Sequence, residues 1–364
     1  MGKLNALHDE QNQSPWLDNL RRGWITDGEL QRWFDRGVRG ITSNPTIFQK
    51  AIEAGSDYDD EFRSLSASGM SVPDSYWQLV THDIERALAL LRPVYDASDG
   101  IDGYVSVEVA PSLAHDADGT MKAARVLNEG IDEPNLYVKI PGTVEGLVAI
   151  QQMISEGRSI NVTLLFSLKR YDAVIEAYLA GLEAAEGDLH AISSVASFFV
   201  SRVDTEVDRR LDEIGTDEAL ALRGTAAIAN ARLAYELFLK KFSGPRWDAL
   251  VARGARVQRP LWASTSTKNP AYPDTYYVDE LIGPNTVNTI PDATLAAFDD
   301  HGTVERTIDK DLPGAHATMA ALKAVGVDMD DVTRVLEEEG VASFSKSFDE
   351  LIESLQAKSE TFSK

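Results

Sequence analysis

Short apolar runs alternate with long amphipathic segments from about residue 36 to residue 300. Such runs predict buried strands, and apolar residues that recur every three or four positions between them predict helices. Parallel strands need long crossovers, which the amphipathic segments supply. The pattern therefore favours an α/β protein with a parallel sheet. We predict eight strands, the first of them short, at Trp16–Leu20, Gly40–Ser43, Tyr104–Ala110, Leu136–Ile140, Ile160–Phe166, Ala191–Phe198, Arg256–Ala263 and Thr286–Ile290.

The choice between an open sheet and a closed barrel depends on the loops. Neither a G-x-G-x-x-G fingerprint after the first strand nor a G-x-x-x-x-G-K-[ST] loop is present. The dinucleotide-binding and nucleoside-triphosphate-binding forms of the open sheet are thereby weakened. We predict a single (β/α)8 TIM barrel with additional helices, and Ser167 as the N-cap of the helix that starts at Leu168.

The strand pattern stops after residue 303. Two further helices are predicted, Met329–Glu338 and Phe344–Ala357, and the second has one apolar face that indicates packing over the barrel. A barrel with insertions commonly occupies about 250 to 400 residues. We therefore expect one catalytic domain over residues 1–364, with the barrel at about 15–300 and a C-terminal helical extension at about 301–364.

Several apolar strands carry polar residues on one face. In Val105–Ala110 the valines alternate, so period-two geometry places Glu108 on the opposite face. The same alternation places Lys139 in the next strand, and Asn161 and Thr163 in the strand after that, on the corresponding face. If the valines meet the helices, three consecutive strands direct polar groups at the barrel interior.

Lys139 is the only one of 13 lysines centred in an apolar strand. An unpaired buried ammonium is costly, so a compensating interaction is expected. One interpretation is a structural ion pair with Glu108 on the neighbouring strand. The other is a desolvated amine that loses its proton readily and attacks a ketone carbonyl, with Glu108 and Thr163 available to move protons.

Composition narrows the function. The formal net charge of −23 repels nucleic acid and anionic membranes, so neither is an expected partner, and any bound phosphate needs local cations. The chain has no cysteine, a polar N-terminus and no run of about 18 apolar residues, which favours the cytoplasm. Its six histidines lack the spacing of zinc ligands, and no G-x-S-x-G elbow is present, so we expect neither a metal site nor an acyl-transfer hydrolase.

Five segments resemble the transaldolase family, across nearly all of residues 15–300. Tyr137–Thr143 resembles the strand of the Schiff-base lysine, Val107–Val109 the glutamate of the preceding strand, and Asn161–Ser167 the N-[VL]-T-L-[LI]-F-S strand that follows. Ile41–Thr46 resembles the T-[TS]-N-P turn, and Trp16–Asp18 resembles the first-strand aspartate.

The resemblance implies catalytic roles for five residues. Lys139 forms the Schiff base, and Asp18 is the acid and base at the bond that breaks. Glu108 acts with Thr163 through a water during formation and hydrolysis of the Schiff base. Asn161 orients the lysine and the substrate hydroxyls.

The resemblance also implies substrate contacts. Asn44 contacts substrate, and Ser197 and Phe199 line the pocket. Arg202 binds phosphate. The family segment S-P-F-V-G-R has Phe198 and Ser201 in place of its proline and glycine here, which affects the expected loop geometry rather than the arginine.

A second phosphate-binding position follows the seventh strand. Ser264 fits the family pattern, but Lys268 stands where relatives have an arginine, two positions later than expected. A lysine binds phosphate as a point charge, without the bidentate geometry of arginine. Ser266 could share the role.

Taken singly, three of these residues have simpler explanations. Arg202 could cap a helix or pair near Asp204, Asp18 could be an N-cap, and Asn44 could serve only the turn before Pro45. Their joint position at the carboxyl ends of barrel strands, where such enzymes build active sites, favours function.

The resemblance implies that the chain moves a dihydroxyacetone unit between sugar phosphates in the pentose phosphate pathway. The donor is sedoheptulose 7-phosphate and the acceptor is glyceraldehyde 3-phosphate, and the products are erythrose 4-phosphate and fructose 6-phosphate. The resemblance implies no cofactor or metal. Two alternatives stay open. One is an enzyme like fructose-6-phosphate aldolase, which releases free dihydroxyacetone; Phe199, without a hydroxyl to place a water, favours transfer over this alternative. The other is a non-catalytic sugar-phosphate-binding barrel. The sequence leaves both a monomer and a homodimer open.

Overall fold

The computed structural model describes residues 2–362. Eight parallel strands form a closed barrel in chain order, with the last strand paired to the first. The predicted (β/α)8 barrel is therefore confirmed. The strands are β1 (Gln13–Leu17), β2 (Gly40–Thr42), β3 (Tyr104–Glu108), β4 (Leu136–Pro141), β5 (Ile160–Leu165), β6 (Ser194–Phe199), β7 (Arg259–Ala263) and β8 (Thr286–Ile290).

Helices surround the barrel and follow it at the C-terminal side. The connections between strands supply most of them, as the amphipathic segments predict. They are α1 (Lys3–Gln11), α2 (Arg22–Thr26), α3 (Glu29–Asp35), α4 (Pro45–Glu53), α5 (Asp59–Ala67), α6 (Val72–Ala97), α7 (Ala117–Ile131), α8 (Val144–Ser155), α9 (Leu168–Ala184), α10 (Ser201–Ile214), α11 (Asp217–Leu220), α12 (Ala226–Lys241), α13 (Pro245–Val251), α14 (Tyr276–Asp279), α15 (Asp292–His301), α16 (Leu312–Ala324) and α17 (Met329–Phe362). No helix within the described residues combines the length and the apolar character needed to cross a membrane.

The first strand lies earlier than predicted. The predicted strand is Trp16–Leu20, whereas β1 runs from Gln13 to Leu17, and the first two residues of β1 are polar. Both are nevertheless buried, because Gln13 donates a hydrogen bond to the Leu281 carbonyl oxygen and Ser14 donates one to Asp102. Polar side chains that are satisfied inside the barrel hid this strand from the apolar pattern.

Other strand ends also differ from the prediction. β6 and β7 begin later than expected, at Ser194 and Arg259, and β3 ends at Glu108 rather than at Ala110. Ile192, which precedes β6, is a buried loop residue, so its apolar character reflects burial rather than strand structure. The predicted cap at Ser167 is confirmed, because its hydroxyl accepts a hydrogen bond from the Arg170 backbone amide at 2.9 Å.

The C-terminal prediction of two helices is wrong, because α17 is continuous. At 1.5 Å per residue a helix of 34 residues is about 51 Å long. It packs against α4, α6 and α10. Gly340, which lies between the two predicted segments, is where the helix approaches Leu164 of β5 closely. Packing against the barrel therefore outweighs the poor helix propensity of glycine at this position.

Inward-facing side chains fill the barrel in layers. Tyr104 of β3 and Tyr137 of β4 stack with ring centroids 4.0 Å apart. On the same face, β3 continues from Tyr104 to Ser106 and Glu108, and β4 continues from Tyr137 to Lys139, the register partner of Glu108. Aromatic packing thus occupies the amino end of the barrel and leaves the polar groups at the carboxyl end.

Candidate active site

A cavity of about 420 Å³ opens at the carboxyl ends of the strands. This volume is in the range of small-molecule sites, about 300 to 1,000 Å³. Nine of the residues expected at the site contribute to its wall together with residues of α4, α15 and α17. The nine are Asp18, Asn44, Lys139, Thr163, Ser197, Phe199, Arg202, Ser264 and Lys268. The two other predicted residues, Glu108 and Asn161, are buried in the layer beside Lys139.

Lys139 projects into the barrel from β4 and is only 4% exposed. Its Nζ atom lies 3.1 Å from Oε2 of Glu108 and donates a 3.0 Å hydrogen bond to the Ser43 carbonyl oxygen. Ser43 follows β2, so the lysine reaches across β3 and through the interior. The period-two prediction for its orientation is confirmed, and Lys139 is the one buried lysine of residues 2–362.

The ion pair of the structural interpretation is therefore real. Burial is the main influence on Glu108 and raises the pKa of its carboxyl, while the charge of Lys139 acts in the opposite direction. The pair differs from inert packing in one respect, because Lys139 also lines the open cavity. A small molecule in that cavity can reach the amine.

Asp18 lies directly after β1, where its backbone amide bonds to the Ile290 carbonyl oxygen of β8. Its carboxylate accepts a 2.7 Å hydrogen bond from the Thr42 hydroxyl. Burial raises the pKa of this carboxyl, and the hydrogen bond from Thr42 and the charge of Lys139 oppose the rise. The alternative role as an N-cap does not apply, since Arg21 precedes α2. Asp18 is thus a carboxylate held at the cavity wall.

A chain of hydrogen bonds supports the strands behind Lys139. The Asn161 amide donates to the Ser106 hydroxyl at 3.0 Å and accepts from the Ser197 hydroxyl at 2.7 Å. These bonds connect β3, β5 and β6 through the interior and fix the orientation of Asn161. Thr163 is fully buried, and its Oγ1 atom has no hydrogen-bond partner among residues 2–362. This hydroxyl can bind a water or a substrate oxygen.

Arg202 lies in the first turn of α10 and lines the cavity. Its guanidinium carbon lies 5.1 Å from the ring centre of Phe199 and 5.8 Å from that of Phe344. Within residues 2–362 no carboxylate is within 4.0 Å of it. Burial lowers the pKa of Arg202, and the negative charges of Asp18 and Glu108 oppose this effect. Pairing near Asp204, the simpler explanation for Arg202, is absent from the described residues. The result is a cation with free donors that face a cavity.

The loop after β7 continues the same wall. Ser264 adopts a left-handed backbone conformation with a φ angle of 56° and shares a 2.9 Å hydroxyl hydrogen bond with Ser201. Ser201, which stands where the family pattern has glycine, therefore links the start of α10 to the loop after β7. Lys268 donates a 2.7 Å hydrogen bond to the Ser266 hydroxyl. Lys268 and Ser266 therefore both lie on the cavity wall.

Asn44 has the structural role that the turn pattern suggested and also lines the cavity. Its side-chain oxygen accepts a 3.0 Å hydrogen bond from the Ile47 backbone amide, which caps α4. The amide nitrogen is left for a ligand. The cap fixes the start of α4 at the cavity, and Lys50 on the next turn of this helix also lines the cavity wall.

Sequence reasoning missed several residues of the wall. Lys50 and Arg21 add positive charge, Asp292 adds negative charge, and Phe344 comes from α17. Lys50 lies six positions after Asn44 on α4, and a charged residue on a helix usually faces solvent, so the sequence gives no signal for it. Phe344 also carried no signal, because an apolar helix face predicts packing and not a cavity.

No group of three acidic, histidine or cysteine side chains within residues 2–362 is arranged to hold a metal ion. The chemically distinctive groups of the cavity are instead a buried amine, carboxylates with raised pKa values, and four further cations in the wall. Such a site suits an anionic substrate that has a carbonyl group.

Comparison with known proteins agrees with this geometry. Residues 15–355 match the model of the family described as transaldolase/fructose-6-phosphate aldolase. A transaldolase of Parafrankia sp. is 53% identical over 346 residues, 94% of each chain. The transaldolase of Thermobifida fusca is 53% identical over 343 residues, 93% of each chain. That of Mycolicibacterium smegmatis is 51% identical over 350 residues, 95% of this chain and 94% of the relative. The chain therefore belongs to the transaldolase/fructose-6-phosphate aldolase family.

Proposed function

We propose that this protein transfers a dihydroxyacetone unit between sugar phosphates through a Schiff base on Lys139. One observation carries the proposal. Lys139 is buried beside a carboxylate, yet it lines a cavity whose opening holds Arg202 and Lys268. A ketose phosphate bound with its phosphate at these cations can extend its carbonyl carbon toward the amine. The names of relatives that are about half identical to the chain support the same activity.

In the proposed reaction, the neutral amine of Lys139 attacks the C2 carbonyl carbon of fructose 6-phosphate. Loss of the C2 oxygen as water gives the imine. Glu108 and Thr163 supply and accept the protons of this step through a water, in keeping with the unpaired Thr163 hydroxyl. Asn161, held by Ser106 and Ser197, fixes the neighbouring strand.

The carbon–carbon bond then breaks. Asp18 removes the proton of the C4 hydroxyl, the C3–C4 electrons move into the imine, and glyceraldehyde 3-phosphate leaves. The raised pKa of Asp18 suits a group that must accept this proton and later return it. The enamine on Lys139 attacks the aldehyde carbon of erythrose 4-phosphate, and hydrolysis releases sedoheptulose 7-phosphate. The same steps run in reverse.

Asn44, Ser197, Phe199 and Ser264 would contact the substrate chain, and Arg202 and Lys268 its phosphate, since all six line the cavity. We also propose that the chain works as one catalytic domain in the cytoplasm. The packing of α17 on the barrel supports the first statement, and the absence of cysteine fits a reducing compartment.

Product analysis tests the proposal. Purified protein is incubated with fructose 6-phosphate, with and without erythrose 4-phosphate. We expect sedoheptulose 7-phosphate only when the acceptor is present and little free dihydroxyacetone. Free dihydroxyacetone in equal yield with and without acceptor would indicate an aldolase, and binding without turnover would indicate a non-catalytic barrel. Either result contradicts transfer.

Two lysine variants control this assay. Lys139→Met removes the proposed nucleophile and should abolish transfer. Lys122→Met removes an exposed lysine of α7 and should leave transfer unchanged. Equal activity in the two variants would contradict the role of Lys139.

A further inference from the structure

Arg202 is a half-buried cation, and among residues 2–362 no carboxylate lies within 4.0 Å of it. Asp18, Glu108 and Glu339 act on it only through space. A carboxylate in contact would neutralise the guanidinium and occupy its N–H donors. Another interaction therefore has to hold this side chain in place while leaving its donors free.

Two aromatic rings provide that interaction. Phe199 of β6 and Phe344 of α17 lie 5.1 Å and 5.8 Å from the guanidinium carbon. A cation within about 6 Å of a ring centre is attracted by the ring, and the attraction strengthens when water is excluded. Phe344 is 4% exposed, so its contact is largely desolvated. The ring faces stabilise the charge without using a hydrogen-bond donor.

The C-terminal helix is positioned for this contact. A Cβ atom at Gly340 would lie 2.9 Å from Cδ2 of Leu164 and 3.7 Å from Nη1 of Arg202, so the helix approaches the site closely at this glycine. Phe344 is one helical turn further on, and Ser347 of α17 accepts a 2.9 Å hydrogen bond from Thr46 of α4. The helix is thus fixed on both sides of Phe344.

We infer that Phe344 is a positioning residue for phosphate recognition, acting by holding the Arg202 guanidinium with its donors free. The inference rests on the proposed function in taking the ligand to be the phosphate of a sugar phosphate. It assigns part of the substrate specificity to the C-terminal helix. Loss of the ring should weaken phosphate binding more than it slows the chemistry on Lys139.

The test compares three variants with the wild-type protein. Phe344→Leu keeps an apolar side chain without a ring, and Phe344→Tyr keeps the ring. Phe348→Leu is the matched control, because this ring lies one turn along α17 and packs against Tyr76 and Trp77, away from Arg202. Binding of inorganic phosphate is measured by titration calorimetry, and steady-state kinetics are measured with fructose 6-phosphate and with unphosphorylated fructose.

For Phe344→Leu we expect a phosphate Kd about three- to tenfold higher, the range that corresponds to one cation–π contact. KM for fructose 6-phosphate should rise similarly, with a smaller change in kcat and little change in kcat/KM for fructose. Phe344→Tyr should restore phosphate affinity, and Phe348→Leu should retain it. The dependence on the phosphate group distinguishes positioning from general damage to the fold.

Wild-type phosphate affinity in Phe344→Leu, or an equal loss in Phe348→Leu, would overturn the inference and leave the proposed transfer untouched. Calorimetry also separates the two claims in the other direction. If the wild-type protein showed no transfer but lost phosphate affinity on Phe344→Leu and regained it on Phe344→Tyr, the proposed function would fail while the role of Phe344 would stand.

Discussion

Asp18 is half-buried and Glu108 is buried, and both carboxyl groups lie near the Lys139 amine. Removal from water raises the pKa of each. A raised pKa means that the folded state holds the proton more tightly than the unfolded chain does. Each group therefore lowers the stability of the fold at neutral pH. Side chains that reduce stability in this way concentrate at functional sites, which favours catalysis over packing as the reason for their presence.

Replacement of Asp18 should separate activity from stability. We expect Asp18→Asn to lower kcat/KM by about 100- to 10,000-fold, the usual contribution of an acid or base. At about pH 7 the variant should be more stable by about 0.5 to 2 kcal/mol, because it removes a desolvated charge. The gain should shrink as the pH falls from the raised pKa to the ordinary value of 3.8, and well below 3.8 the carboxyl is protonated in both states.

Denaturant unfolding across this pH range measures the effect. Asp60→Asn is the control, since the Asp60 side chain is fully exposed and lies outside the cavity. A variant at Asp18 that is less stable than wild type at neutral pH would contradict the assignment of a desolvated carboxylate.

Replacement of Thr163 offers a second way to separate activity from stability. Its hydroxyl has no partner among residues 2–362, so Thr163→Val should change the free energy of unfolding by less than about 0.5 kcal/mol. We expect a fall in kcat/KM of about 100-fold, because proton transfer to and from Lys139 loses a group. Thr120→Val is the matched control. Its hydroxyl bonds to the Leu113 carbonyl oxygen, so it should cost about 1 kcal/mol and leave activity intact. The opposite pattern of losses would be incompatible with the proposed role.

Periodicity alone predicted inward-facing polar residues only on strands. The alternation of valine with Glu108, and of apolar residues with Lys139 and Thr163, identifies the inward face because the period of a strand is two. Arg21 and Lys50 lie on or beside helices, where a charged residue usually faces solvent. Nothing local distinguishes these two cations, so their place at the cavity had to come from the structure.

At the scale of elements, α17 approaches β5 closely at Gly340 and Leu164. Leu164 adopts a left-handed conformation with a φ angle of 60°, and the pairing of β5 with β6 shifts register near it. Its side chain is buried against Gly340. Glycine has a low helix propensity, and the sequence alone cannot show that a distant strand requires a small residue at this position.

Two glycine substitutions test this account of α17. Gly130→Ala in α7 meets no atom within 4 Å, so the helix should gain about 1 kcal/mol from the better propensity. Gly340→Ala places a methyl group against Leu164, which should cancel that gain and raise KM for fructose 6-phosphate by moving Phe344. Thermal unfolding and kinetics measure both effects. Equal stabilisation by the two alanines, with unchanged KM, would exclude a close approach at position 340.

At the scale of the whole molecule, the two ends of the barrel differ in purpose. The carboxyl end holds the cavity, while the amino end is closed by a buried ionic cluster. Asp102 accepts hydrogen bonds from Arg39, Arg259 and Ser14. Burial by itself would raise the pKa of Asp102, but the two guanidinium groups more than offset it, so the pKa is lowered. The cluster therefore stabilises the fold at neutral pH.

Asp102→Asn should consequently act in the opposite sense to Asp18→Asn. We expect a loss of about 3 to 5 kcal/mol at neutral pH, because two buried guanidinium groups lose their partner. The difference from wild type should diminish as the pH falls below the ordinary value of 3.8 toward the lowered pKa. KM should stay unchanged, since the cluster lies at the far end of the barrel. Asp99→Asn, at an exposed position, should cost about 0.5 kcal/mol or less. A loss that grows on acidification would contradict this explanation.

The barrel itself was largely predictable, because eight buried strands separated by amphipathic helices allow few arrangements. The ionic cluster was not, since Asp102 and Arg259 lie far apart in the chain and each precedes or begins a strand without a local signal. A chain with a net charge of −23 binds a phosphate only where positive side chains are gathered locally, and the structure gathers them at the cavity. Long-range contacts of this kind depend on closure of the barrel.

The central claim is that Lys139 forms a covalent intermediate. Borohydride reduction in the presence of fructose 6-phosphate, followed by peptide mass mapping, tests it most directly. The account predicts a three-carbon adduct on the peptide that contains Lys139, and none in the Lys139→Met variant. An adduct on a different lysine, or no adduct under conditions in which the enzyme turns over, would contradict it.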